Sequence, residues 1–262
     1  MTRVSLGGRG AVVTGGGRGI GACVARALAA EGVAVVVAAR TVREIEGVAQ
    51  ELREQGAKAW AVACDVTDEA SVLALGSQAR SHLGTVDMLV NNAGESHSAP
   101  LRKIALSDWE RMMAVNATGT FLCTREFAPE MAGRGWGRIV NVASAVGLEG
   151  AKYVAHYSAA KHAVLGFTRS VALELAGTGV TVNAVCPGYV DTPMTERTLA
   201  NVEARADLPR DEALAAVLAS AGQDRLVSPE EVASAVMDLC AGGSELTGQA
   251  ILLKFGGGVR AR

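Results

Sequence analysis

The stretch AVVTGGGRGIGACVARALAAEG, residues 11–32, decides the fold. Ala11 to Thr14 is a short apolar run that reads as a buried strand. It passes into a glycine-rich turn and then into a helical segment from Ala22 onward. Strand, glycine turn and helix in that order are what give a glycine motif its meaning. Glycines let the backbone turn tightly and approach a phosphate, and a helix N-terminus attracts negative charge. The turn is therefore expected to hold a dinucleotide through Gly15, Gly17, Arg18, Gly19, Ile20 and Gly21. The spacing of Gly15, Gly19 and Gly21 is not the GxGxxG of long-chain dehydrogenases.

Working outward, further strand ends point to the same ligand. VAVVVAAR (33–40) ends where a site for NAD carries an acidic residue that bonds the ribose 2′-hydroxyl. Here Ala39 and Arg40 stand there, and a 2′-phosphate meets a guanidinium instead of a carboxylate. This predicts NADP(H) in preference to NAD(H), read by Arg40 with help from Arg18. AWAVACDV (59–66) ends at Asp65 and Val66, which are expected at the adenine. Asp65 reads equally as a turn residue before the helix that starts near Asp68. VDMLVNNAG (86–94) ends at Asn92, Ala93 and Gly94, whose small side chains let the backbone lie against the cofactor. In an open parallel sheet, ligands bind outside the carboxyl ends of the strands.

The chemistry is expected at NVASAVG (141–147) and HYSAAKH (156–162). Tyr157 and Lys161 are four residues apart, on one face of a helix. A lysine ammonium beside a phenol favours the phenolate and lowers its pKa, which makes tyrosine usable as an acid or base. Alone, a YxxxK pair is a common solvated helix pair, so its neighbours carry the reading.

Alternating strands (10–14, 33–39, 59–64, 87–91, 137–143, 179–185, 249–254) and helices (19–31, 42–55, 68–83, 107–132, 156–176, 229–241) predict an α/β fold. It is a single doubly wound Rossmann-type domain: a seven-stranded parallel sheet with helices on both faces. The nucleotide half covers about 6–140, the catalytic and substrate half about 141–258, and a lid of two short amphipathic helices about 192–228.

The chain has 262 residues and a net charge of −2, with basic residues scattered, so neither nucleic acid nor an anionic membrane is an expected partner. The five cysteines lack metal spacing and, at an odd count, do not suggest a disulfide framework. Buried free thiols fit better. MTRVSLGGRG lacks the apolar stretch of a signal peptide, and a cytoplasmic location is expected.

With TGGGRGIG, NNAG, Asn116, Ser144 and YSAAK in order, the chain resembles the short-chain dehydrogenase/reductase family over about Leu6 to Gly258. Within it, the chain is similar to 3-oxoacyl reductases and aromatic polyketide ketoreductases. The resemblance implies a catalytic tetrad. Tyr157 passes a proton to the carbonyl oxygen and Ser144 hydrogen-bonds the same oxygen. Lys161 lowers the Tyr157 pKa and bonds the nicotinamide ribose. Asn116 sits at a helix irregularity and holds a water. VCPGYVDTPM (185–194) resembles the nicotinamide segment, so Pro187, Gly188, Val190 and Thr192 are expected to face the ring. The implied activity is hydride transfer between nicotinamide and a ketone or secondary alcohol. An NAD-dependent dehydrogenase and a non-catalytic nucleotide-binding protein are the alternatives. The resemblance also implies a homo-oligomer, a tetramer or a dimer, built on helices 107–132 and 156–176.

For the substrate pocket, Glu95, Ser96, His97, Val146, Leu148, Tyr153, Val154 and His156 are walls by proximity, with His156 pointing off the far side of its helix. The places that hold a small carboxylate in 3-hydroxybutyrate dehydrogenases are Ser96, Val146 and Val154 here, so that clamp is missing. Arg134 and Arg138 lie near the place where a carrier protein would dock, but Leu173 replaces the arginine often found there. Lys254 and Phe255 stand where the family has an Asp-Gly-Gly turn.

Overall fold

The computed structural model describes residues 4–254 and 260–261. Seven strands run parallel in the order β3-β2-β1-β4-β5-β6-β7. They are β1 (Gly10–Thr14), β2 (Ala34–Ala39), β3 (Ala59–Ala63), β4 (Met88–Asn91), β5 (Gly137–Val142), β6 (Val180–Pro187) and β7 (Ala250–Leu253). A two-residue strand, β8 (Arg260–Ala261), adds antiparallel to β7, so the expected seven-stranded sheet carries an eighth, edge strand. Phe255 to Gly258, where an altered terminal turn was expected, lie outside the described residues; Lys254, just before them, pairs with Glu149.

Valine-rich strands fit a sheet covered on both faces. Their two-residue period splits each strand between two cores. Val13, Val35 and Val37 pack with α1 (Gly19–Ala30), α2 (Val42–Glu54) and α9 (Pro229–Ala241). Val12, Val36 and Leu89 pack with α3 (Glu69–Leu83) and α5 (Gly119–Gly133) on the other face. In α2 the buried residues Ile45, Val48, Ala49 and Leu52 form one helical stripe. Ser228, Pro229 and Glu231 start α9 with a capping box and a proline in the first turn.

Order reverses between β1 and β4, where a crevice opens outside the strand ends. The helix expected over 107–132 is three pieces: α4 (Leu106–Met113), a π-helical turn (Ala114–Thr118) and α5. Helix α6 (Ala155–Glu174) carries Tyr157 and Lys161. The segment expected as a lid folds into two helices, α7 (Pro193–Ala206) and α8 (Arg210–Ala221). No helix among the described residues is long and apolar enough to cross a membrane.

Candidate active site

One groove at the crevice is lined by Gly15, Gly17, Arg18, Gly19 and Ile20 of the first turn, by Arg40, Asp65 and Val66, by Asn92, Ala93 and Gly94, and by Thr192. The glycine turn is built for close approach. A Cβ at Gly21 would lie 2.3 Å from the Gly15 carbonyl, and one at Gly17 would lie 2.8 Å from Glu44 Cβ. Gly19 adopts φ +51°, and Thr192 Cγ2 lies 3.3 Å from where its Cβ would be. Arg18 is the N-cap of α1, and no side-chain acceptor of the cap takes the first helical N–H groups. Such a start and such a cradle fit a pyrophosphate. Asn92 braces the turn: its amide donates to the Thr14 and Gly15 carbonyls, each at 3.0 Å. Thr14 Oγ1 accepts from the Asn92 and Ala93 N–H groups.

The end of the groove at Arg40 is more acidic than the sequence suggests. Arg18 donates to Glu44 at 2.9 Å, and Arg40 lies 3.9 Å from Asp65. The expectation that a 2′-phosphate meets no carboxylate is therefore corrected: two carboxylates line the same groove, each beside an arginine. Both pairs are largely exposed, so they can part at little cost. Asp65 is a turn residue, accepting from the Thr67 N–H at 3.0 Å and hydroxyl at 2.8 Å. Burial raises its pKa, but these bonds and Arg40 outweigh it and leave a net downward shift. Asp68, not Asp65, caps α3.

The residues expected to carry the chemistry come together beyond the ends of the central strands. Ser144 follows β5; its hydroxyl accepts from the Val146 N–H at 3.3 Å and lies 3.5 Å from the Pro187 carbonyl. Burial pushes the Tyr157 phenol up to about 12, while the Ser144 hydroxyl beside it pulls the other way. Lys161 Nζ lies 5.8 Å from the Tyr157 ring centroid and donates to the Val142 carbonyl at 2.9 Å. Burial lowers Lys161 to about 8. The downward shift expected for Tyr157 is not what the cofactor-free site gives: its net shift is upward, set by burial, which disfavours the charged form of both groups.

Asn116 is fully buried in the π turn, the irregularity expected for it. Its amide donates to the Glu95 and Met112 carbonyls at 3.0 and 3.1 Å, and its Oδ1 accepts from the Glu95 N–H at 3.3 Å. A Cβ on Gly94 would lie 2.8 Å from Asn116 Oδ1 and 3.5 Å from Lys161 Nζ, so only glycine fits between them. Gly188 bonds the Leu253 carbonyl at 2.9 Å, and Val190 bridges to Val227.

Three expectations change. His156 is not on an outer face; it is fully buried, edge-on to His97 at 5.8 Å, and neither ring nitrogen has a hydrogen-bond partner among the described residues. Arg138 is buried and bonds the carbonyls of Gly137, Gly179 and Gly242, so it is not free for a docking carrier. Arg134 is held by Glu130, Asp87 and the Val86 carbonyl. Sequence reasoning missed Glu44, Gln223 and the fold of Tyr189 onto α8, because none of these carries a local motif.

Comparison with known proteins agrees with this geometry. The short chain dehydrogenase family profile matches residues 9–203. A cis-4-hydroxycyclohexanecarboxylate dehydrogenase of Sinomonas cyclohexanicum is 41% identical over 248 residues, 94% of this chain and 95% of the relative. A 3-oxoacyl-[acyl-carrier-protein] reductase of Aquifex aeolicus is 36% identical, covering 97% of this chain and 98% of the relative. A crystal structure of a variant actinorhodin polyketide ketoreductase with NADPH matches with TM-score 0.90 and 40% identity, covering 95% of this chain and 96% of that one. The chain belongs to the short-chain dehydrogenase family.

Proposed function

We propose that the chain reduces a ketone of 3-oxoacyl or polyketide type with NADPH, through Ser144, Tyr157, Lys161 and Asn116. The observation that carries the reading is their convergence: Ser144 beside the Tyr157 phenol, with Asn116 and Lys161 both against Gly94. NADPH, when bound, supplies the hydride that adds to the carbonyl carbon. The glycine turn and the start of α1 would hold its pyrophosphate, and Arg40 and Arg18 would be the residues to hold its 2′-phosphate.

Ser144 Oγ and Tyr157 Oη donate hydrogen bonds to the carbonyl oxygen, placing charge stabilisation where negative charge develops. Tyr157 transfers its proton to that oxygen, completing the alcohol. Its raised pKa keeps the phenol protonated and ready to donate at neutral pH. The Lys161 ammonium stabilises the resulting phenolate, and Asn116 orients the water that returns the proton. Pro187, Gly188, Val190 and Thr192 form the wall against the nicotinamide.

A second reading, NAD-dependent alcohol oxidation, draws on Glu44 and Asp65 in the ribose pocket. Fluorescence titration with NADPH and NADH separates the two. At least tenfold tighter NADPH binding supports the first reading; equal or tighter NADH binding overturns it. A homo-oligomer through α5 and α6 accords with Phe121, 40% exposed and edge-on to Phe167, and with Leu173, 79% exposed. A cytoplasmic location accords with cysteines that are all free thiols.

A further inference from the structure

Between β6 and α7 the chain must cross the active site with its backbone groups satisfied. Gly188 N–H is taken by Leu253 at the end of β7, and Val190 pairs with Val227. Tyr189 lies between these two ladders; its carbonyl accepts the Val227 N–H at 2.9 Å, and no strand among the described residues takes its N–H. Gln223 supplies the missing neighbour. It follows α8, just after Gly222 turns the chain at φ +62°, and is 5% exposed. Its Oε1 accepts the Tyr189 N–H at 2.7 Å, and its Nε2 donates to the Tyr189 carbonyl at 3.3 Å and the Arg225 carbonyl at 3.2 Å. A primary amide carries a donor and an acceptor, as a peptide does, so one side chain serves both sides of Tyr189. The approach depends on Gly188, whose Cβ would lie 2.2 Å from Gln223 Oε1.

The held segment reaches Ser144 at one end and α8 at the other. Pro187 presents its carbonyl 3.5 Å from Ser144 Oγ. At the other end, the Tyr189 phenol meets the Ser220 hydroxyl of α8. We infer that Gln223 is a positioning residue for carbonyl reduction, locking residues 187–189 and the end of the lid into one arrangement around Ser144 and Tyr157. The inference rests on the proposed function of those two residues.

The test compares Gln223→Leu and Gln223→Glu with wild type, using a 3-oxoacyl thioester and NADPH. Leucine fills the volume but leaves the Tyr189 N–H without an acceptor. Its kcat/KM should fall about tenfold, carried by the KM of the ketone, while the NADPH Kd stays within about twofold. Amide exchange at Tyr189 should quicken in the same variant, and that readout needs no turnover. Glutamate keeps the acceptor but sets a carboxylate beside two carbonyls; when protonated it reproduces the amide. Its activity relative to wild type should therefore climb as pH falls. A Leu variant within twofold of wild type in kcat/KM, or a Glu variant whose relative activity is flat with pH, overturns the inference. If the Leu variant fails to fold, the Glu profile decides. No carbonyl reduction by wild type would overturn the functional reading instead, and Tyr189 exchange would still report on the Gln223 bonds.

Discussion

Lys161 Nζ stands 5.8 Å from the Tyr157 ring centroid, one turn along α6, and donates to the Val142 carbonyl at 2.9 Å. Two titratable groups are thus buried together, and burial drives their pKa values in opposite directions, Tyr157 to about 12 and Lys161 to about 8. Both shifts favour the neutral form. The arrangement costs folding stability and makes sense as a site whose charge is completed by ligand.

Removing the ammonium should therefore stabilise the cofactor-free protein. Lys161 has a folded pKa near 8 against an ordinary 10.5, so between those values the unfolded chain binds more protons. This contribution makes stability rise with pH through that window, and the full penalty applies below pH 8. Lys161→Met also gives up the bond to Val142, so the net gain at pH 7 is about 1–2 kcal/mol, or roughly 3–6 °C in Tm. The gain should shrink as pH approaches 10.5. Thermal melts from pH 6 to 10 read it; a Met variant that melts below wild type at pH 7 contradicts it.

The ribose pocket makes its own prediction. Arg40 leaves an exposed carboxylate to meet a phosphate, and a charge-assisted bond to phosphate is worth about 1.5–3 kcal/mol. Arg40→Asp should weaken NADPH about tenfold or more while leaving NADH nearly unchanged. Parallel titrations check the ratio, and an unchanged ratio removes Arg40 from cofactor choice.

Glu95 is gripped twice, by Arg111 through its carboxylate and by Asn116 through its backbone. Arg111 is 61% exposed, so the ion pair adds under about 1 kcal/mol to stability. Its effect should appear in turnover, through Asn116. Glu95→Arg should lower kcat about fivefold, and adding Arg111→Glu should restore most of it, an outcome expected of coupled residues. Steady-state kinetics of the four proteins checks it; a double variant no better than the single breaks the link.

Under the site runs a buried polar chain. Asn91 donates to Asn141 at 2.9 Å and to Thr124 at 3.0 Å, and Asn141 donates to Thr168 at 2.8 Å. Asn141→Ala leaves one Asn91 N–H without its acceptor, while Thr124 keeps the other, and should cost about 1–3 kcal/mol in a urea melt with the m-value unchanged. A cost under 0.5 kcal/mol would mean that the chain repacks freely.

The parallel strands were legible because valine runs buried on both faces leave a plain mark, and β1 to β7 fall within two residues of expectation. The two residues of β8 are too short to leave one. The break of the long helix at 114–118 was legible only through Asn116, since no proline or glycine marks it. Residues grouped by one turn, such as Gly15 to Gly21, were readable as a unit. The Arg18–Glu44 and Arg40–Asp65 pairs were not, because each joins segments that only the sheet order brings together. His156 looked like an outer residue on helical spacing alone; α4 and the loop at His97 cover it. Gln223 had no signal, since its partner lies 34 residues away.

The most direct test of the central claim is single-turnover oxidation of NADPH by wild type and Tyr157→Phe with saturating ketone, followed by stopped-flow absorbance. Loss of a general acid predicts a rate lower by about 10²–10⁴, with NADPH binding unchanged. A phenylalanine variant that turns over within threefold of wild type would contradict the claim that Tyr157 delivers the proton.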